Sequence, residues 1–404
     1  MNVFVARQPI FDVRQEVYGY ELLYRSSDKN FYTGVDGDAA SLAVIRNVLL
    51  VIGAEKISGG RKAFVNFTKN LLLDGAASFL PKEIGVVEIL EDVEPDPKLV
   101  ETLRSIKSQG YPLALDDFVL QGNEENPFLE LVNIIKVDFR QADALEREAI
   151  ARRFPPENGI KLLAEKTETR EEFKQAREMG YTLFQGYFFC KPVIMAGRDV
   201  PGYKINYVRI LKELSAESPD FKSIQNLISH DPPLTYKLLK YINSSFFGLR
   251  REVTSIKQAL ELLGENEIRK WASIAVVMEL GKDHPKELLR LSLLRARLSE
   301  KLAAALDFEH RKSTFFLMGL LSCMDALLGK PMAEIIEDIP IAPEAKAALL
   351  GEPNRYKGVF DLVTSYEKAD WTSIPELASQ LEMDQQEISQ MYSDAIEWVD
   401  EACE

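Results

Sequence analysis

The chain has 404 residues, of which 46% are hydrophobic and 28% charged, and its net charge is −14 at neutral pH. Such a length suits two or three domains, and the composition is that of an ordinary globular protein. The acidic balance argues against general binding to nucleic acid or anionic membrane, and no apolar run approaches the roughly 20 residues of a membrane span.

The start, MNVFVARQPIFD, has no basic stretch followed by an apolar one, so no secretion signal is expected. The three cysteines, Cys190, Cys323 and Cys403, are odd in number and far apart. They suggest neither a disulfide framework nor a cysteine zinc site, and a reduced cytoplasm is the expected location.

In chain order, eight short runs read as strands: VFVARQPI, VYGYELLYR, KAFVNFT, IGVVEIL, YPLALDDF, IIKVDF, IKLLAEK and LFQGYFF. Most are rich in Val, Ile, Phe or Tyr. The first two are joined by the short polar stretch DVRQE, which predicts a hairpin. Helix-like segments lie between most of the others, at 39–52, 97–109 and 169–179. In the second of these, Asp96 and Pro97 open the helix, Leu99, Leu103 and Ile106 share a face, and Gly110 ends it. This alternation predicts a parallel α/β architecture. Eight runs suggest a barrel, and a doubly wound open sheet is the competing architecture.

From about residue 200 the strand pattern gives way to helices alone. They include FKSIQNLIS, LTYKLLKYINSSF, IRKWASIAVVMEL and LLRLSLLRARLSEKLAAAL. A further helix runs between Ser255 as N-cap and Gly264 as its stop. The domains are therefore 1–197, α/β, and 198–404, all-α, divided near KPVIMAGRDVPG.

Seven of the eight strands of the first half carry a polar residue at or near the C-terminal end. These are Glu21, Asn66, Glu88, the pair Asp116–Asp117, Lys136 with Asp138, Glu165 and Gln185. In a parallel barrel those ends meet at one rim, where active sites sit. Adjacent carboxylates are costly to bury unless something neutralises them. A hard divalent cation, Mg2+ or Mn2+, would do so, because the donors are oxygens and neither Cys nor His takes part. Each residue taken singly also reads as a solvated turn, a helix cap or a surface charge, and that alternative stays open here.

RQPIFD, GYELLYR, FVNFT, VEILE, LALDDF, IKVDF, LLAEKTET and LFQGYFFCKP resemble, in this order, the motifs of EAL domains. That family consists of barrel-shaped phosphodiesterases that hydrolyse cyclic di-GMP to pGpG. The resemblance implies that Glu21, Asn66, Glu88 and Asp116 hold one metal, and that Asp116, Asp117 and Glu165 surround a second. It assigns Lys136 and Gln185 to the attacking water, Glu168 as a further acid of the site and Glu91 to steadying the loop after Asp117. Gln8, Arg25 and Asp138 match substrate positions, and a guanidinium suits a phosphate.

Three departures stand out. The signature Glu-Ala-Leu is ELL, the Gly-rich loop after the paired aspartates is DFVLQGN, and Lys166 replaces a glycine in EKTET. The loop also carries dimer contacts in the family, so the resemblance implies a different homodimer or none.

The second half, from ISHDPPLTYKLLKYINSSF onward, resembles the HDOD domain, an all-α relative of HD phosphohydrolases. His230–Asp231 imitates a catalytic pair, but the position where that pair belongs resembles FFLMGLLSCMD, with Ser322 and Cys323. With only His230, His284 and His310 in the chain, a His-rich metal site is not expected there. His230 reads as a helix-end residue, His284 and His310 as solvated, and WASIAVVMEL as core. A protein partner or a regulatory role is expected for this half. The whole then reads as a cyclic di-GMP phosphodiesterase with an HDOD module. The alternatives are a cyclic di-GMP receptor without turnover and a protein-interaction scaffold.

Overall fold

The computed structural model describes residues 3–26, 58–120, 125–190, 202–215, 220–243, 253, 255–337 and 339–403. The helix expected over 39–52 lies outside the described residues. The chain divides into two compact units, Met1–Lys191 together with Ser365–Ala402, and Pro192–Thr364. The division expected from the sequence did not include this return of the chain to the first unit.

The first unit is built on β1 (Val3–Asp12), β2 (Val17–Ser26), β3 (Lys62–Phe67), β4 (Gly85–Ile89), β5 (Leu113–Leu115), β6 (Ile134–Asp138), β7 (Lys161–Glu165) and β8 (Leu183–Gln185). These close into a barrel in sequence order, which decides against the open sheet. Neighbours from β2 to β8 are parallel. β1 runs antiparallel to β2, as the predicted hairpin requires, and also to β8, so the parallel set expected from strand–helix alternation is confined to β2 through β8. The cause is local, because residues 13–16 are too few for a crossover helix. The turn is instead tied by Asp12 Oδ1, which accepts from Arg14 N at 2.8 Å and Glu16 N at 3.0 Å.

The helices between the strands start where the sequence signals them. Asp96 caps Pro97–Ser108, accepting from Leu99 N at 2.8 Å, and Leu99, Leu103 and Ile106 are buried. Thr169 and Glu172 form a capping box on Arg170–Met179, and Gly180 ends that helix at φ +104°.

Side chains alternate across a strand with a period of two. One interior layer of the barrel is apolar: Ile10, Phe64, Val86, Ala114, Ile134, Leu163 and Leu183. Two residues further along β3, β4, β6, β7 and β8 stand Asn66, Glu88, Lys136, Glu165 and Gln185, and Asp116 follows β5 in the same register. On the reversed β1 the equivalent residue, Gln8, comes two residues earlier. The apolar layer is thus the floor of a polar one.

The unit is completed by residues 365–402, with the helices Ile374–Gln380 and Gln385–Cys403. Tyr366, Ile374, Ala378, Ile388, Tyr392, Ala395 and Val399 are buried there.

The second unit is helical among its described residues. Gly264, at φ +72°, breaks the long helix Ile256–Leu280 where the sequence places a stop, and Ser255 caps its start. Gly319 lets Lys312–Leu321 approach Lys286–Ala305, since a Cβ there would lie 2.4 Å from the Arg295 carbonyl oxygen. His230 ends the helix Phe221–Ser229, its Nδ1 2.7 Å from the Asn226 carbonyl oxygen. Asp231 opens the next helix, accepting from Leu234 N at 3.0 Å. The tempting pair is therefore a C-cap beside an N-cap. Ser292, Ser299 and Cys323 are buried in this unit, and Arg295 Nη1 lies 3.2 Å from Ser322 Oγ. Trp271, Ala275, Val276, Val277 and Leu280 are core, as WASIAVVMEL predicts. His310 is exposed, whereas His284 is half-buried rather than fully solvated.

Candidate active site

The polar layer centres on Lys136. Its Nζ lies 3.5 Å from Glu21 Oε1, 2.9 Å from Glu88 Oε1, 2.7 Å from Asp116 Oδ1 and 3.0 Å from Glu165 Oε1. Lys136 is 1% exposed and Glu88 fully buried. A lysine stripped of water needs such company to stay charged. Burial works against the ammonium, but Glu165, Glu21, Glu88 and Asp116 together hold it well above the usual lysine range.

One ammonium does not neutralise four carboxylates, and the acids divide accordingly. Burial pushes Glu88 well above the usual carboxylate range; Lys136 opposes this, and Glu21 and Asp116 reinforce it. Glu165 is pushed well up by burial too, again against Lys136 and with Asp116, Glu21 and Asp117 adding to the shift. Asp116 is raised in the same way. Burial would also raise Glu21, but Lys136 and the amides of Gln185 and Asn66 outweigh it and hold Glu21 low. Those amides donate at 2.6 Å to Oε2 and 3.2 Å to Oε1. Gln185 Nε2 also lies 3.0 Å from Gln8 Oε1.

Asp116, Asp117 and Glu165 each bring one carboxylate oxygen within 4.8 Å of the others. Asp117 reaches this position with φ at +39°, in the left-handed region that Asp tolerates better than most residues. Glu88 Oε2, Asp117 Oδ1 and Gln185 Oε1 are buried and accept no hydrogen bond. Buried oxygens usually have partners. Orphaned acceptors beside a converging set of carboxylates fit hard divalent cations, and the donor set is oxygen throughout.

The ends of β7 and β8 are held together by Thr167, a buried residue that the sequence reading passed over although it lies inside EKTET. Its N and Oγ1 both donate to the Gln185 carbonyl oxygen, at 3.0 and 2.8 Å. Gly186 makes the approach possible. It sits at φ +144°, and a Cβ would lie 2.0 Å from the Thr167 carbonyl oxygen.

The other expected residues are not among the groups paired with Lys136. Asp138 caps the turn after β6, accepting from Arg140 N at 2.7 Å and Gln141 Nε2 at 3.2 Å, and it pairs with Lys166. Burial would raise Asp138, but Lys166 and these donors hold it low. Lys166 itself takes φ +53° where a glycine would be at ease. Glu168 pairs with Arg140, and Glu91 is exposed in the turn after β4. Neither belongs to the carboxylates paired with Lys136. Arg25 lies on β2 with its side chain outside the described residues. Of the altered loop, Val119 is exposed, and residues 121–124 lie outside the described residues.

A closed barrel with an acidic ring at its C-terminal rim defines the class, and the EAL domain model matches residues 57–192 of it. The HDOD domain model matches residues 201–336. YuxH, a Bacillus subtilis protein, is 40% identical over 406 residues, covering 98% of each chain. The cyclic di-GMP phosphodiesterase CdgJ of Vibrio cholerae is 34% identical over 400 residues, covering 98% of this chain and 92% of that one. A solved structure of the Bacillus subtilis YkuI protein, with an EAL domain, in complex with cyclic di-GMP and calcium, is 20% identical. It superposes with a TM-score of 0.40 over 65% of this chain and 72% of its own. The chain belongs to the family of proteins that join an EAL domain to an HDOD domain. No helix among the described residues is long and apolar enough to cross a membrane.

Proposed function

We propose that this protein hydrolyses cyclic di-GMP to pGpG with Mg2+ or Mn2+, under the control of its HDOD half or of a protein partner bound there. The observation that carries this function is the shell of Glu21, Glu88, Asp116 and Glu165 around the buried Lys136 ammonium. The whole-length likeness to a protein named as a cyclic di-GMP phosphodiesterase supports it.

Glu21, Asn66, Glu88 and Asp116 would hold one cation, and Asp116, Asp117 and Glu165 a second. Bound divalent ions would make a water more acidic and neutralise charge building on the phosphoryl oxygens. Lys136 stays charged, so it donates hydrogen bonds and orients the attacking water without taking its proton. Gln185 fixes Glu21 and Gln8, holding a metal ligand and a substrate contact in one geometry. Gln8 and Arg25 would meet the nucleotide. Asp138, as the cap of its turn, would act on substrate through the Arg140 and Gln141 backbone it holds. A cytoplasmic location completes the proposal, and the altered loop after Asp117 implies a different homodimer or none.

Lys166 favours a second reading, a receptor that binds cyclic di-GMP without turnover. It places a cation in the electrostatic reach of Asp117 and Glu165, where the family has a glycine. One experiment separates the two. Full-length protein is assayed with Mg2+ or Mn2+, following pGpG by chromatography, with binding measured in Ca2+ alongside. Turnover that disappears in a folded Asp116→Asn variant is the expected result. Binding without turnover selects the receptor. Neither, on folded protein, rejects both.

A further inference from the structure

Two backbone carbonyls in residues 365–402 of the first unit are taken up by the rim of the barrel. The Glu367 carbonyl oxygen accepts the Tyr187 hydroxyl at 2.9 Å, and the Lys368 carbonyl oxygen accepts Gln8 Nε2 at 3.0 Å. The chain then turns sharply. Ala369 takes φ +52°, and Asp370 N reaches back to the Ser365 carbonyl oxygen at 2.8 Å. That helix-ending turn usually requires glycine at the left-handed position. Further along, Asp400 pairs with Arg7, whose Nη2 lies 3.3 Å from Oδ1 and whose side chain is 6% exposed. Arg7 also lies over the Tyr20 ring, 4.5 Å from its centroid.

These contacts reach the acidic ring in two steps. Gln8, held by Lys368, accepts from Gln185, and Gln185 donates to Glu21. The N–H that Gln8 gives to Lys368 is taken from a phosphate oxygen, and the same bond fixes the amide plane and so the direction of its second N–H.

We propose that residues 365–402 form a latch, with Lys368 on the substrate side of the barrel and Asp400 anchoring the segment to Arg7 on the outer face of β1. The latch holds Gln8 through Lys368 and must let go for a cyclic dinucleotide to bind. This rests on the assignment of Gln8 to substrate contact. The latch is a backbone acceptor steadied by Tyr187 and Asp400, so it can be loosened without touching the acidic ring.

The test uses the full chain, cyclic di-GMP as probe and Ca2+ to prevent turnover. Asp400→Ala and Tyr187→Phe each remove one latch contact. A protein that must open before it binds loses apparent affinity in proportion to its closed fraction, so each variant is expected to bind about 3- to 10-fold tighter. Amide hydrogen exchange at 366–371 is expected to quicken in the wild type when the dinucleotide is added. Equal affinity in all three proteins, with unchanged exchange, overturns the latch and leaves the function intact. Weaker binding in both variants also overturns it, by making the segment part of the nucleotide site. No binding in any folded form rejects the assignment to cyclic di-GMP and the latch with it.

Discussion

Lys136 is the residue whose loss should be felt most. Replacing it by Met keeps the length of the side chain and removes the ammonium, leaving Glu21, Glu88, Asp116 and Glu165 to face one another. A pair of unit charges about 3 Å apart is worth roughly 5 kcal/mol at an effective dielectric constant of about 20. Four such attractions do not add, because the acids repel one another and each has lost water. Glu88 and Glu165, already held high, would also take up protons. Removing one partner from a buried charge cluster costs about 3–5 kcal/mol. For a unit of this size that lowers the melting temperature by about 6–20 °C. Calorimetry of the full chain in chelator would read this in the transition of the barrel unit. Adding Mn2+ should recover much of the loss, since the ion replaces the missing positive charge, while hydrolysis stays lost in both conditions. A fall of less than about 1 kcal/mol in chelator, the range of an exposed ion pair, would refute the reasoning. So would an equal fall with and without Mn2+.

Two further variants probe the same architecture. The raised Glu165 makes the native barrel favour its protonated form, so its contribution is complete below the ordinary value of 4.5 and is lost as the pH climbs through its native value. In chelator, Glu165→Gln should therefore flatten the decline of barrel stability as the pH rises above 4.5; melting curves giving the same difference from wild type at every pH would contradict this. Gly186→Ala forces a Cβ against the Thr167 backbone at a φ that L residues rarely adopt. A loss of about 3 kcal/mol or more is expected in urea unfolding, and a neutral alanine would mean that the ends of β7 and β8 do not meet as described.

Much of the barrel can be read from the chain because its signals are local. Phe64 and Asn66, Val86 and Glu88, or Leu163 and Glu165 each set an apolar residue two places before a polar one, and a strand turns that spacing into floor and rim. The turn 13–16 announces the reversal of β1 by its brevity. Other features depend on partners that no local pattern names. Nothing around Lys136 shows that it will collect four carboxylates, because those come from four other strands, Glu21 from the middle of β2. Asp138 and Glu168 sit in the right motifs, yet Lys166 and Arg140 claim them, and those pairings arise from the turns after β6 and β7. The return of residues 365–402 is the least legible. Tyr366, Ile388 and Tyr392 mark buried faces, but amphipathic spacing does not say which body covers them. Lys368 acts through a carbonyl that every residue type possesses.

The reversed β1 has a consequence for anyone handling the molecule. Val3 pairs with Ser26, at the far end of β2, so the first strand starts on the rim side and runs down toward the floor. Whatever is joined ahead of Val3, whether a natural extension or an affinity tag, emerges beside the mouth of the barrel and not behind it. A flexible peptide of ten residues reaches about 17 Å on average, enough to sweep an opening of this kind. Tags meant to leave catalysis undisturbed should be cleavable or carried elsewhere, and a regulatory partner fused at that end would arrive already in position to block the entrance.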